Sequence, residues 1–239
     1  MIESLTNSRV KYATKLKQKK YRTETNQFLV EGEHLVEESI KSGLAEYIFT
    51  TVEKQYGKVP SYLVSPEVFL KLSDLNNAEG VIAVSNKNTN HGLSSNILIL
   101  DGIQDPGNLG TLIRSAAAFG FKTIISENSV DYYNEKVIRS SQGAVFYTNL
   151  FEKSLTEFIQ THKEYTYFGT NVLSGTDLKK VDFQKDKIAI ILGNEGSGVR
   201  EEIQNLLNVN IHIPMLKTES LNVGVAGGIL MYEAFEGRK

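Results

Sequence analysis

Two short stretches in the C-terminal half of the chain are apolar without alternation, ILILDG (97–102) and KIAIILG (187–193), and FKTIIS (121–126) carries a shorter apolar pair. A strand with one wetted face alternates polar and apolar residues; one that does not must be covered on both faces. YTYFGT (165–170) and VNIHIP (209–214) read as further strands, the second stopped by Pro214. Between and after them lie helical patterns, LGTLIRSAAAFG stopping at Gly120 and the C-terminal NVGVAGGILMYEAFEG. Apolar strands alternating with helices specify an α/β fold built on a mainly parallel sheet.

The N-terminal part reads differently. SRVKYATKLKQKK predicts one basic helix with Val10, Ala13 and Leu16 toward a core. QFLVEG predicts a strand, HLVEESIKSG a helix closed by Gly43, and AEYIFT, SYLVS and GVIAVS three more strands. SNKNTNHGLSSN is polar and aperiodic, as in a linker. The expected organisation is a small α/β domain over residues 1–85, a linker over 86–96 and a larger α/β domain over 97–239.

Net charge is −2, which argues against a generic nucleic-acid binder, but the charge is segregated. Residues 1–23 carry seven basic side chains against one acid, Glu3, a local charge of +6; residues 24–85 carry −6. The basic set, Arg9, Lys11, Lys15, Lys17, Lys19, Lys20 and Arg22, is the candidate phosphate-binding patch. There is no cysteine, so a disulfide framework, a thiolate metal site and a cysteine nucleophile are excluded. His34, His91, His162 and His212 are scattered without ligand spacing, and no metal is expected. MIESLTNSRVKY lacks the apolar region of a signal peptide, and no apolar run approaches the roughly 20 residues that span a bilayer, so a cytoplasmic protein is expected.

Ligands in open α/β sheets bind at the carboxyl ends of strands, and three glycine-containing loops lie there. In DGIQDPGNLGTLIRSAAAFG (101–120) Asn108 is expected to cap the helix, and Arg114 follows six residues later among small apolar neighbours, where an arginine seeks an anion. ILGNEGSGV (191–199) has glycine spacing unlike a dinucleotide fold and no P-loop lysine; Asn194 and Glu195 favour an uncharged or cationic ligand group. IPMLKTESLNVGVAGGILMYE (213–233) places Ser220 and Asn222 before a helix holding Gly224, Gly227 and Gly228, which suggests close packing against backbone or ligand.

DPGNLGTLIRSAAAFG, ILGNEGSGV and IPM…ESLNV, in that order, resemble the three motifs of the SpoU (TrmH-like) RNA methyltransferases of the SPOUT superfamily. LTNSRVKYATKLKQKKYR…FLVEGEHLVEES resembles that family's N-terminal RNA-binding extension, a small domain like certain ribosomal proteins, so the likeness covers nearly the whole chain. The resemblance implies a C-terminal SPOUT domain with a deep trefoil knot. It implies S-adenosylmethionine held bent in the second and third motifs, and a homodimer whose site is completed across the subunit interface. Arg114, Asn108, Glu195, Ser220 and Asn222 are then the catalytic set. Leu192, Gly193, Asn194, Gly196, Ile213, Met215, Leu221 and Asn222 are the cofactor-binding set, contacting largely through backbone groups. The chain departs from the family pattern at Gly224, where serine is common, and in Ala-Gly-Gly for Ala-Ala-Gly; neither removes a polar group of the site.

The implied reaction is methylation of a ribose 2′-hydroxyl, most directly in 23S ribosomal RNA. A hydroxyl is a weak acid and a poor nucleophile, so an enzyme must align it and help remove its proton. The family's proposed base is Arg114; a normal arginine stays protonated, so stabilising the developing alkoxide is the easier role to defend. Two rivals share the same residues: a tRNA 2′-O-methyltransferase, and a non-catalytic RNA-binding ribosome-assembly factor. A methylation that blocks an antibiotic is a further variant.

Overall fold

The computed structural model describes residues 1–75, 79–89, 92–170 and 175–237; His91 and part of the expected linker lie outside them. The chain opens with α1 (Ser8–Lys15), whose Asn7 side chain caps it by accepting from the Arg9 amide, and α2 (Lys19–Thr25). The single basic helix expected here is therefore two. The break has a physical cause: the Arg22 guanidinium takes the carbonyls of Leu16 (2.9 Å) and Lys17 (2.8 Å), satisfying groups that a continued helix would have used.

Then follow β1 (Gln27–Glu31), α3 (Glu33–Lys41), β2 (Ala45–Thr50), β3 (Ser61–Leu63), α4 (Pro66–Leu72) and β4 (Val81–Asn86). The four strands form one sheet in the order β1-β4-β2-β3, antiparallel except for β2 with β3. Phe49, Val64, Ile82 and Val84 pack under α1 and α4, against Val10, Ala13, Leu16 and Phe69.

The C-terminal part runs β5 (Asn96–Asp101), α5 (Pro106–Ala118), β6 (Thr123–Glu127), α6 (Glu135–Ser141), β7 (Asn149–Glu152), α7 (Leu155–Thr161), β8 (Thr166–Thr170), β9 (Thr176–Asp177), β10 (Ile188–Gly193), α8 (Glu201–Gln204), β11 (Val209–His212) and α9 (Val223–Glu236). Its seven strands are all parallel, in the order β7-β6-β5-β10-β8-β11-β9. The unbroken apolar runs are explained by cover on both faces: Leu98, Leu100, Ile190 and Leu192 meet α5 and α9, while Ile97, Ile99 and Ile191 meet α7 and α8. α9 lies close on α5 because its glycines allow it; a Cβ on Gly227 would stand 2.4 Å from Leu112 and 2.6 Å from Leu192. Strand order reverses between β5 and β10, and the crevice at their carboxyl ends is where a ligand is expected in such a sheet.

The polar stretch read as a linker is shorter than 86–96, since Asn86 ends β4 and Asn96 begins β5. Nor are the two sheets independent. Phe28 and Val30 share a buried cluster with Tyr133 and Phe146, the Phe28 and Tyr133 rings lying 4.6 Å apart. Arg22 donates to Asp131 through Nε (3.0 Å) and Nη2 (2.6 Å).

Candidate active site

The site begins at the amino end of α5. Asp105, not Asn108, is the cap: its carboxylate accepts from the Asn108 amide at 2.7 Å, with Pro106 in the first turn where a missing N–H costs nothing. The aspartate competes better for this position because it precedes the proline that starts the helix. Asn108 thus sits inside the first turn and its side chain is free for other partners. Its Nδ2 donates to Glu195 (3.0 Å), and its Oδ1 accepts from the Asn222 side chain (2.8 Å). Asn222 in turn caps α9, its Oδ1 accepting from the amides of Gly224 (2.9 Å) and Val225 (3.2 Å). One hydrogen-bonded chain, Glu195–Asn108–Asn222, therefore joins all three glycine-containing loops, which are far apart in sequence.

Glu195 also accepts from the backbone amides of Gln104 (3.4 Å) and Asp105 (3.3 Å). Burial pushes its carboxyl up, but the hydrogen bonds from Asn108 and from backbone amides outweigh it and hold the group below the usual carboxylate range. Asn194 ties its own loop to the end of β5. Its Nδ2 donates to the Gly102 carbonyl (2.8 Å), and its Oδ1 accepts from the Gly196 (2.9 Å) and Ser197 (3.1 Å) amides. Gly193 has no room for a side chain, since a Cβ there would stand 2.1 Å from Gly198 and Val199 backbone atoms.

The far end of this loop is held by Arg200. Its backbone amide (2.8 Å) and Nε (2.7 Å) both donate to Asp101, a carboxylate 2% exposed at the end of β5; Nη2 donates to Glu127 at the end of β6. Residues 194–199 are thus fastened at both ends to the strand that pairs with β10.

The loop walls a cavity of about 700 Å³, a size suited to a small-molecule ligand. Leu192, Gly193, Asn194, Gly196, Ile213, Met215, Leu221 and Asn222 all line it, as do Glu195 and Ser220. Its walls are aliphatic side chains and loop backbone, with Thr170, Gln204, Glu219 and Ser220 as polar points. No lysine or arginine lines it among the described residues. A polyphosphate finds no cation there, whereas a ligand carrying sulfonium and ammonium charges finds two glutamates and a strand-end loop, so the chemistry of the lining fits S-adenosylmethionine.

Arg114 is not brought into this constellation. It stands exposed on α5 away from Leu109, Ile113 and Ala116, which face the sheet, and makes no hydrogen bond or ion pair among the described residues. The basic N-terminal set also divides. Arg22 is only 5% exposed and engaged with Asp131, so it is a structural tie and not a phosphate ligand. Lys17 donates to the Ser73 carbonyl (2.8 Å) and pairs with Asp74, and Lys19 pairs with Glu152. Arg9, Lys11 and Lys15 have no ion-pair partner among the described residues, and Lys20 only a loose one at 3.9 Å from Glu24. His34, His162 and His212 do not converge, and no metal-holding group of side chains occurs among the described residues.

Sequence reasoning missed Thr170, Gln204, Glu219 and the Arg200–Asp101–Glu127 tie. Thr170 and Asp101 were findable, since each ends an apolar strand on the binding edge; Arg200 and Gln204 sit in an ordinary polar segment that carried no signal.

Comparison with known proteins sets the chain among RNA methyltransferases. The SpoU rRNA Methylase family profile matches residues 95–232, and the MRM3-like substrate binding domain profile matches residues 7–83. The chain is 35% identical over 245 residues to the 23S rRNA (guanosine(2553)-2'-O)-methyltransferase RlmP of Bacillus subtilis (strain 168), the alignment covering 97% of each. It superposes on the AdoMet-bound rRNA methyltransferase from Sinorhizobium meliloti with a TM-score of 0.85 and 26% identity, over 98% of this chain and 96% of that one. A solved RNA 2'-O ribose methyltransferase matches with a TM-score of 0.81 and 28% identity, over 99% and 98%.

Proposed function

Since this chain belongs to the SpoU rRNA methylase family and is an S-adenosylmethionine-dependent RNA 2′-O-ribose methyltransferase, we propose that its substrate is 23S ribosomal RNA and that it works in the cytoplasm as a homodimer. The RNA class is supported by the Bacillus subtilis relative, whose likeness extends over the N-terminal part as well as the motifs. Among the described residues no helix is long and apolar enough to cross a membrane. A trefoil knot belongs to this proposal; it is supported by the membership of the SpoU family, and the order that sets β10 and β11 between strands earlier in sequence is compatible with it.

The observation that carries the site assignment is the Glu195–Asn108–Asn222 chain, of which Glu195 and Asn222 line the cavity. S-adenosylmethionine, when bound, supplies an electrophilic methyl carbon. What remains for the protein is to hold a ribose oxygen in line and manage its proton. Leu192, Gly193, Asn194, Gly196, Ile213, Met215, Leu221 and Asn222 hold the cofactor. Asn108 and Asn222 fix the α5 and α9 ends that frame the acceptor, and Glu195 locks the loop against the α5 amino end. Ser220 offers a hydroxyl at the cavity edge. Arg114 neutralises charge on the oxygen as the proton leaves, or grips the adjoining phosphate.

Arg114 stands apart from the cavity of its own chain, which favours its serving the partner's cavity. α9 offers the surface for such a pairing, with Val225 51%, Tyr232 47% and Phe235 37% exposed. Mixing two inactive variants tests this: Arg114→Ala and Gly193→Ala chains, combined, should regain methyl transfer if one intact site forms per dimer. Recovery absent in verified mixed dimers contradicts a shared site. The substrate is tested by mapping 2′-O-methyl groups on 23S RNA with and without the gene, beginning at the guanosine that RlmP modifies. An unchanged 23S map with a lost tRNA methyl group overturns the ribosomal assignment.

A further inference from the structure

Two of the N-terminal cations without an ion-pair partner among the described residues, Arg9 and Lys15, lie over tyrosine rings. The Arg9 guanidinium carbon stands 4.6 Å from the Tyr62 ring centroid, and Lys15 Nζ stands 5.4 Å from that of Tyr21. Tyr62 meets Tyr47 edge-on with centroids 6.0 Å apart, and Tyr12 donates to Gln27 at 2.6 Å on the same side of the sheet. All four rings are half-buried: one side packs on the core beneath α1, leaving the rest open. Burial pushes the Tyr47 phenol up to about 12, so it adds no negative charge at neutral pH. Its neighbour in β2, Glu46, accepts from the Asn86 side-chain Nδ2 (3.0 Å).

Phosphate contact alone does not require this arrangement. Lysines reach a backbone best from open polar surface, as Lys11 does here. A ring held from behind, with an exposed surface cation over its outer face, can exchange that cation for the face of an unpaired base while the cation moves to the adjoining phosphate. A paired helix hides its base faces and cannot use them.

We propose that Tyr62 with Arg9, and Tyr21 with Lys15, are two stacking platforms for unpaired bases of the RNA substrate, so that the N-terminal domain selects a single-stranded loop or bulge. This rests on the reading of the chain as an RNA methyltransferase and adds which RNA feature it grips.

The test compares a short unpaired oligoribonucleotide with a blunt RNA duplex, measuring affinity against salt for the full-length protein. Tyr62→Leu and Tyr21→Leu should each weaken the unpaired RNA roughly fivefold or more. The log–log salt slope should not change, because a lost stack releases no counterions. Tyr62→Phe and Tyr21→Phe should bind like the parent, and duplex affinity should be unmoved in all four. Parental affinity in both leucine variants, or an equal loss on the duplex, overturns the proposal. Should a leucine variant fail to fold, photo-crosslinking of the parent to a 5-iodouridine oligoribonucleotide decides: adducts on Tyr62 or Tyr21 support it, and adducts confined to other residues overturn it. Absence of methyl transfer to ribosomal RNA by the parent would instead sink the enzymatic reading.

Discussion

Arg200→Ala is expected to loosen the cofactor loop without touching the cofactor. The Arg200 side chain makes ion pairs with Asp101, Glu127 and Glu202. Glu202, 58% exposed, contributes little, as surface pairs do. Asp101 is the important partner, because it is 2% exposed and the substitution leaves it only the residue-200 amide. Breaking a buried pair from one side costs about 3–5 kcal/mol. The guanidinium itself is 36% exposed, so water recovers part of that, and about 2–3 kcal/mol is the expected loss. In a chain of this length that lowers Tm by roughly 4–12 °C. Because residue 200 closes the segment that starts at Gly193, the free loop gains conformations, and S-adenosylmethionine should bind about tenfold more weakly, a change of ~1.4 kcal/mol. Methyl transfer at saturating cofactor should hold near the parental rate, so the defect appears in KM and not in kcat. Adding Asp101→Asn should restore part of the stability by removing the stranded charge, a sign that simple loss of contacts does not give. Calorimetric titration with the cofactor, thermal melts and saturation kinetics measure these quantities. A parental Tm and parental cofactor affinity for Arg200→Ala refute the reasoning.

Arg114→Ala should lower single-turnover methyl transfer by roughly 10²–10³ at saturating RNA and cofactor while cofactor affinity stays parental, and Arg114→Lys should recover little, since a point charge lacks the planar fork; turnover at the parental rate makes Arg114 structural. Because the folded-state carboxyl of Glu195 is held below its ordinary value, its stabilisation is complete above the unfolded pKa and is lost as pH falls through the folded one. Glu195→Gln should therefore melt below the parent at neutral pH and converge on it in acid; a gap that persists or widens on acidification contradicts the hydrogen-bond account. Arg22→Ala removes the guanidinium that holds Leu16, Lys17 and Asp131, and should cost about 3–5 kcal/mol in chemical denaturation. A loss of RNA affinity with full stability would return Arg22 to the phosphate-binding set.

The large sheet was legible because its signal is local. ILILDG and KIAIILG state their double burial in composition alone, and they pair in register, Ile190 with Leu98 and Gly193 with Asp101. What failed was competition between neighbours for one role. Asp105 and Asn108 are both good caps, and only the proline between them decides which precedes the helix. The basic run from Arg9 to Lys20 scores as one helix until a distant demand, Asp131 for Arg22, folds the chain back and fills the carbonyls at the break. β7 and β9 went unread because NLFE and TD are too short to show any period.

The site divides along the same line. Gly193 and Gly196, which line the cavity, were findable because glycine spacing reports where backbone must come close. Residues that act by holding others were harder. Glu195 suggested a ligand contact from sequence, yet its carboxylate is turned to Asn108 and two backbone amides. A carboxylate whose pKa is held down in this way is a weak base for a ribose hydroxyl. The proposed acceptor chemistry therefore calls for a group besides Glu195. On the proposed reading Arg114, exposed and making no hydrogen bond or ion pair among the described residues, is the cation for that oxygen, and its absence from the lining of its own chain's cavity favours a site shared with a second subunit.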